Sequence, residues 1–394
     1  MIRPPIEVAD IVRTCGAGFI EKSRRWLHWS HVKVLHAIAR CRTAALGGHR
    51  DQCSQCGHQT ISYNSCRNRH CPKCQTAARD RWVAKRQTEV LPVGYFHVVF
   101  TLPHELSALA LQNKKEIYRL LLQASADTLL EVAADPQHLG ATIGFLSILH
   151  TWGQNLLLHP HVHCVVPGGG ISPDQTRWIY SRPNFLVPVP VLKLRFRAKV
   201  RDGLKRLFRA GKLVFAGQLA PLSDGKAFLA FLRPVCEKEW VVYAKAPFRG
   251  PHHLLQYLAR YTHRVAISNH RLIAFDRESV TFRWKDYAHG NKKRKMTISP
   301  DEFLRRFLLH TLPRGFVRIR FFGFLAGPRR SRMLQLARQL LEGSSAETAP
   351  PSMPARVLFH CPVGDGPMMV VERLTGARLR HLARIHQDAL TDSS

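Results

Sequence analysis

The sequence predicts an α+β protein, with a cysteine-rich helical N-terminal module followed by a domain built on a central, mainly antiparallel sheet flanked by helices. Three observations predict it. The run 53–74 holds Cys53, Cys56, Cys66, Cys71 and Cys74, half of the 10 cysteines, between two stretches of helical character. Further on, short runs of aromatic and β-branched residues alternate with longer stretches of helical periodicity. Apolar residues make up 45% of the 394. That share is ordinary for a globular chain and excludes a disordered polycation.

Taken in order, residues 27–42 place Leu27, Val32, Val34, Leu35 and Ile38 on a helical face leading into the cysteine run. Residues 75–89 form a basic helix leaving it, ended before Pro92. Residues 95–102 (YFHVVFTL) read as a strand. Residues 113–132 carry leucines at helical spacing, and 143–153 are apolar enough to fit either helix or strand. Residues 161–166 read as a strand closed by Pro167 and three glycines, 188–211 as a basic amphipathic helix, and 240–245 as a strand. A helix is expected at 251–268, with Pro251 in its first turn. A hairpin from 272–275 and 280–287 and a helix at 301–312 follow. Residues 343–354 (GSSAETAPPSMP) have linker composition. The expected domains are 1–92, 93–327 and a linker with a basic tail at 328–394.

Lys and Arg number 59 against 27 Asp and Glu, a formal net charge of +32. The excess is concentrated: residues 190–330 hold 31 basic and 9 acidic residues, interleaved with apolar ones. A folded surface of this sign calls for a polyanion, and a groove for nucleic-acid phosphates is the first expectation. No apolar run reaches membrane-spanning length and residues 1–10 lack a signal-peptide pattern, so no membrane partner is expected.

The cysteine run reads Cys53-Ser-Gln-Cys56-Gly57-His58, then Cys66-Arg-Asn-Arg-His70-Cys71-Pro-Lys-Cys74. Two C-x-x-C pairs can each wrap two thiolates around one tetrahedral cation. The spacing therefore predicts a structural Zn²⁺ held by Cys53, Cys56, Cys71 and Cys74. Cys66, His58 and His70 are surplus: any of them could replace one ligand or help hold a second ion, and packing or a surface position is the favoured reading. Arg67, Arg69 and Lys73 sit inside this loop, where they either contact DNA phosphates or are merely solvated. Cys361-Pro-Val-Gly-Asp-Gly holds a single thiol, so no zinc site is expected in the tail.

His159-Pro-His161-Val-His163-Cys-Val-Val lies on the strand closed by glycines. Residues two apart on a strand share a face, so His161 and His163 aim two imidazoles at one point, a geometry suited to a divalent ion with open positions. His159 lies on the same face, at the strand's edge. Pro251-His-His-Leu-Leu-Gln-Tyr257-Leu-Ala-Arg-Tyr261-Thr-His-Arg264 places two phenols at i and i+4 of a helix. A half-buried aromatic pair is one reading. A nucleophilic pair is the other, with Arg260 and Arg264 holding phosphate around it.

The zinc cluster, the His-hydrophobe-His strand and the Tyr-x-x-x-Tyr helix, in that order on a basic chain, resemble the HUH-type two-tyrosine transposases of bacterial rolling-circle insertion sequences that carry an N-terminal zinc-binding domain. The resemblance runs from about residue 6 to 327 and includes Ser65–Cys74, His150-Thr-Trp-Gly153, His159–Cys164 and Tyr257–Arg264. It implies an HUH endonuclease fold for the central domain and a metal-dependent enzyme acting on single-stranded DNA at mobile-element ends, working in the cytoplasm at the nucleoid. His161 and His163 would hold Mg²⁺ or Mn²⁺, and Tyr257 or Tyr261 would attack the scissile phosphate. The third metal ligand is left open among His159, Gln256 and His263. Aromatics such as Trp284 and Tyr287 would stack on bases or pack the core. No nucleotide cofactor is expected, because no G-x-x-x-x-G-K-[ST] loop occurs.

Three other readings compete. A histidine-triad nucleotide hydrolase or transferase fits His159–Val165 but leaves the cysteines, the tyrosines and the charge unexplained. A non-catalytic zinc-dependent DNA-binding protein makes the histidines and tyrosines coincidental. An acid-triad transposase needs three converging carboxylates, which this acid-poor chain does not suggest.

Overall fold

The computed structural model describes residues 4–248, 266–286, 290, 292–342 and 360–382. Tyr257, Tyr261, Arg260, Arg264, Gln256, His263, Tyr287 and the 343–354 linker lie outside them. Of the helix expected at 251–268, residues 266–268 are described and are not helical.

The chain starts with helices α1 (Val8–Lys22) and α2 (Trp29–Arg40), the hairpin strands β1 (Gly48–Cys53) and β2 (Gln59–Tyr63), and helix α3 (Pro72–Gln87). Next come β3 (Tyr95–Thr101), α4 (Ser107–Gln112), α5 (Lys114–Ala134), β4 (Gly144–Trp152), β5 (Leu158–Pro167), β6 (Gly169–Ile171) and β7 (Trp178–Tyr180). Helices α6 (Val189–Arg209) and α7 (Gly225–Glu237) lead to β8 (Val242–Phe248), β9 (Leu272–Phe275), β10 (Val280–Asp286) and β11 (Lys292–Ile298). Helix α8 (Pro300–Leu309), β12 (Ile319–Gly323), α9 (Arg330–Glu342) and β13 (Met368–Leu374) follow. The α+β class is borne out. The elements form two compact units, one from Met1–Ala84, His263–Thr311 and Ser352–Ser394, the other from Lys85–Thr262 and Leu312–Pro351.

In the first unit, α1 packs on α2 and α8 through Ile11, Val12, Phe19, Val34, Leu35, Phe303 and Phe307, all buried. Ser299 caps α8 by accepting from the Glu302 N–H at 3.3 Å, with Pro300 in its first turn. Strand β1 sits between β2 and β13 in an antiparallel three-stranded sheet. A segment that reads as tail therefore supplies a strand. Strands β9, β10 and β11 form a second antiparallel sheet, one strand more than the expected hairpin.

In the second unit, five strands run in the order β12-β4-β5-β3-β8, each antiparallel to its neighbours. Strand β4 is the ambiguous stretch at 143–153. It is buried at every position and pairs with β12 and β5 on its two sides, which explains its lack of amphipathic alternation. One face of the sheet, with Phe96, Val98, Phe100, Phe145, Leu149, Val162, Cys164 and Val166, joins the hydrophobic core shared with α5, α6 and α7. Helix α6 contributes Leu192, Phe196, Val200 and Leu204, a stripe at i+4 spacing, and turns its Lys and Arg side chains elsewhere. Because side chains alternate along a strand, the core face fixes the opposite face as the one carrying the remaining residues of β3, β4 and β5.

Candidate active site and metal centres

That opposite face gathers four histidines. His161 and His163 lie on β5, where Val162 and Cys164 point to the core. On β4, His150 pairs directly with His161, and Ile148 with His163. On β3, Val99 pairs with His163 and His97 with Val165. One ring nitrogen each from His150, His161 and His163 come within 4.8 Å of one another. The ring centres of His150 and His163 are 4.4 Å apart, those of His161 and His163 4.8 Å. Trp152 stacks on His150 at 4.4 Å.

Hydrogen bonds set the tautomers. A carbonyl oxygen only accepts, so the 2.6 Å contact between His161 Nδ1 and the His159 carbonyl makes Nδ1 the protonated nitrogen. The Nε2 lone pair of His161 is then available to a cation. His163 Nδ1 meets His97 Nε2 at 2.8 Å, so His97 holds the His163 ring as a second partner holds a metal-ligating imidazole. Burial pushes His161 down to about 3 and His97 to about 4, and pushes His163 well below the usual histidine value. All three rings are therefore neutral at physiological pH, the state in which imidazole is a ligand.

The third ring is thus His150, which the strand argument missed. His159 stands outside the group: its side chain is exposed, and it serves the site through its carbonyl. The signal was present, since Leu146, Ile148, His150 and Trp152 share one face at period two. Finding it required knowing that residues 144–152 are a strand and in which register they pair. Nothing in the spacing pointed to His97.

The thiols divide differently from the expectation of one site from Cys53, Cys56, Cys71 and Cys74. One group is Cys41, Cys66, Cys71 and Cys74; the other is Cys53, Cys56 and Cys361. The hairpin is the reason. Cys41 and Cys66 flank its base, where the Arg42 N–H donates to the Asn64 carbonyl and Asn64 to the Gly47 carbonyl. Cys53 and Cys56 sit at its tip. At about 3.3 Å per residue, six strand residues separate base from tip by roughly 20 Å. Cys71 and Cys74, at the start of α3, stay with the base. Cys66, read as surplus, is therefore a ligand candidate, as are the unpredicted Cys41 and Cys361.

In the first group, Cys74 Sγ lies 3.5 Å from Cys41 Sγ and 3.6 Å from Cys66 Sγ, and the Cys66 N–H points at Cys41 Sγ from 3.4 Å. Zn–S bonds of about 2.3 Å in a tetrahedron put sulfurs about 3.8 Å apart, so four thiols at this spacing fit a closed structural zinc site. Lys73 is neither solvated nor turned to an outside phosphate: it is committed to a buried ion pair with Glu7 at 2.5 Å. Arg67 and Arg69 are exposed. Arg67, His49 and Arg373 line a groove of about 510 Å³ in the first unit. Arg283, Lys285, Lys292, Lys293 and Lys295 are exposed along β10 and β11, with Trp284 half-buried between Arg283 and Lys285.

Residues 144–332 match a family described as "Putative transposase", and residues 11–102 match the IS91-type "Transposase zinc-binding domain". The chain is 50% identical over 388 residues to "Putative transposase y4qJ" of Sinorhizobium fredii (strain NBRC 101917 / NGR234), covering 95% of this chain and 97% of that one. It is 27% identical over 325 residues to "Transposase for insertion sequence element IS801" of Pseudomonas savastanoi pv. phaseolicola, covering 82% of this chain and 76% of that one. No solved structure matches the chain.

Proposed function

This chain belongs to the IS91-type transposases with a zinc-binding domain, and we propose that it nicks and rejoins single-stranded DNA at the ends of a mobile element through a 5′-phosphotyrosine intermediate. The observation that carries the proposal is the convergence of His150, His161 and His163 on one sheet face, with His161 and His163 neutral and the His161 tautomer set. Three such rings fit a divalent cation with open positions, which on this reading is Mg²⁺ or Mn²⁺. Held there, the ion supplies charge that polarises the scissile phosphate and stabilises the departing 3′ oxygen.

The chain's own residues do the rest. The phenol of Tyr257 or Tyr261 gives up its proton as its oxygen attacks phosphorus. The P–O3′ bond breaks, the 3′ oxygen takes a proton, and the 5′ phosphate stays esterified to the tyrosine. A 3′-hydroxyl from another strand then attacks the phosphotyrosine and restores a phosphodiester. One ester bond is exchanged for another, so no nucleotide hydrolysis is needed. Two tyrosines would let one subunit cleave twice in succession. Arg260 and Arg264 would grip the phosphates flanking the scissile one. Residues 1–92, stapled by zinc through Cys41, Cys66, Cys71 and Cys74, would recognise the element ends, with Arg67 and Arg69 on phosphates. Residues 93–327 would carry the chemistry. The exposed bases of β10 and β11 and the half-buried Trp284 suit a single strand tracking along them. No helix among the described residues is long and apolar enough to cross a membrane, and the enzyme would work at the nucleoid.

Chelation tests the reading. Incubated with a single-stranded oligonucleotide carrying an element end and Mn²⁺, the protein should form an adduct that survives SDS. EDTA added before the DNA should prevent it. A histidine-triad hydrolase would stay active in EDTA, and a DNA-binding protein without catalysis would give no adduct under either condition.

A further inference from the structure

We infer that Cys53, Cys56 and Cys361 form a second zinc site, built from three thiolates and completed by a fourth ligand from solvent. Two turns of the same construction face each other there. In Cys53-Ser-Gln-Cys56-Gly57-His58, the Gly57 N–H donates to the Cys53 carbonyl at 3.1 Å, and the Cys53 N–H donates to the His58 carbonyl at 2.8 Å. In Cys361-Pro-Val-Gly364-Asp365-Gly366, the Asp365 N–H donates to the Cys361 carbonyl at 3.0 Å, and the Cys361 N–H to the Gly366 carbonyl at 2.8 Å. Gly57 and Asp365 occupy equivalent places, both left-handed, with φ of 71° and 51°. In the second turn the N–H groups of Val363 and Gly364 both point at Cys361 Sγ from 3.4 Å.

The sulfurs are placed to share an ion. All three lie within 4.8 Å of one another, with Cys56 and Cys361 3.6 Å apart. In a zinc tetrahedron that separation is about 3.8 Å. Equivalence of the turns matches Cys56 with position 364, where a fourth thiol would stand in a closed site. The chain has glycine there. A Cβ at 364 would lie 2.7 Å from Cys56 Sγ, and one at 366 would lie 2.9 Å from Cys53 Sγ. The tail turn therefore approaches the thiols backbone first, through glycines that offer no fourth side chain. Cys53 and Cys361 are buried while Cys56 is exposed, so solvent reaches the ion from the Cys56 side. Three protein ligands and one exchangeable position make this ion easier to remove than one held by four thiols.

The site has a structural consequence. It joins residues 305 positions apart and lies where Cys53 of β1 pairs with Met368 of β13. The ion would pin the C-terminal strand to the hairpin beside the zinc module.

The test uses the full-length, reduced, zinc-loaded chain. Metal analysis should find about one zinc fewer per chain in Cys361→Ser than in wild type, a difference unaffected by zinc at the histidines, which both proteins share. Iodoacetamide labelling read by peptide mass spectrometry supplies a measurement that needs no variant. A brief, weak chelator treatment should speed alkylation of Cys53, Cys56 and Cys361 together by roughly tenfold or more, leaving Cys41, Cys66, Cys71 and Cys74 protected. Equal zinc in the two proteins would overturn the site. So would Cys56 alkylating at the rate of a free thiol in the zinc-loaded wild type, or recovery of Cys56 and Cys361 as a disulfide from protein kept reduced.

Discussion

Changing both Tyr257 and Tyr261 to Phe abolishes the SDS-resistant adduct, a loss of roughly a thousandfold or more, while affinity for single-stranded DNA stays within about twofold. The substitution removes two oxygens and keeps both rings, so packing and any stacking on bases survive while the nucleophile does not. Neither the zinc module nor the exposed bases on β10 and β11 is touched, so binding persists. Adduct yield on a denaturing gel measures the first quantity, and fluorescence anisotropy with the same oligonucleotide the second. The single substitutions separate the roles: one phenol suffices for one cleavage, but two successive cleavages by one subunit need both. A double-Phe protein that cleaves at the wild-type rate would place the nucleophile elsewhere.

His150→Ala should lower cleavage by roughly two to three orders of magnitude, on the order of 3–4 kcal/mol of barrier. The ring supplies one of three nitrogens to the cation, and its loss leaves His161 and His163 as a two-ring site. His159→Ala, on the same strand, should cost less than about tenfold. Among the described residues, His159 supports the site through its backbone carbonyl, which accepts from His161 Nδ1 and which alanine keeps. The contrast separates a metal role from a general loss of fold, as does unchanged zinc at the thiols. Excess Mn²⁺ should partly rescue the His150 variant by mass action. The protonation sign is also fixed. Burial lowers the pKa of His161 to about 3, so the ring stays neutral as pH falls through the usual 6.5, and proton competition for the metal at that ring begins only well into the acid range. Equal losses in the two variants would contradict the assignment of His150 as the third ligand.

What the sequence shows of this fold follows from the range of each signal. Helices and strands with one-sided burial, such as α2, α6 and β5, announce themselves by period, and the expected α+β class stands on them. Strand β4 hides because apolar residues cover both its faces. Strand β13 hides because its partner, β1, lies some 300 residues earlier, and no local pattern encodes a pairing at that distance. The site divides along the same line. His161 and His163 are legible because two residues of one strand suffice to aim them together. His150 and His97 enter through lateral registers between strands, which the sequence states only once the sheet order is known. The thiols teach the same lesson. Spacing reads C-x-x-C pairs as metal turns, yet it assumes the two pairs meet, and a six-residue hairpin holds them apart while Cys41 and Cys66 gather with one pair and Cys361 with the other.

The central claim is that the chain joins itself to DNA through Tyr257 or Tyr261, and peptide mapping of the trapped adduct tests it most directly. Trypsin cuts after Arg249, Arg260 and Arg264, so Tyr257 and Tyr261 fall in different peptides. The account predicts that a nucleotide is carried through its 5′ phosphate on one of these two peptides, in a metal-dependent yield. A nucleotide found on any other residue, or an adduct formed as readily in EDTA, would contradict it.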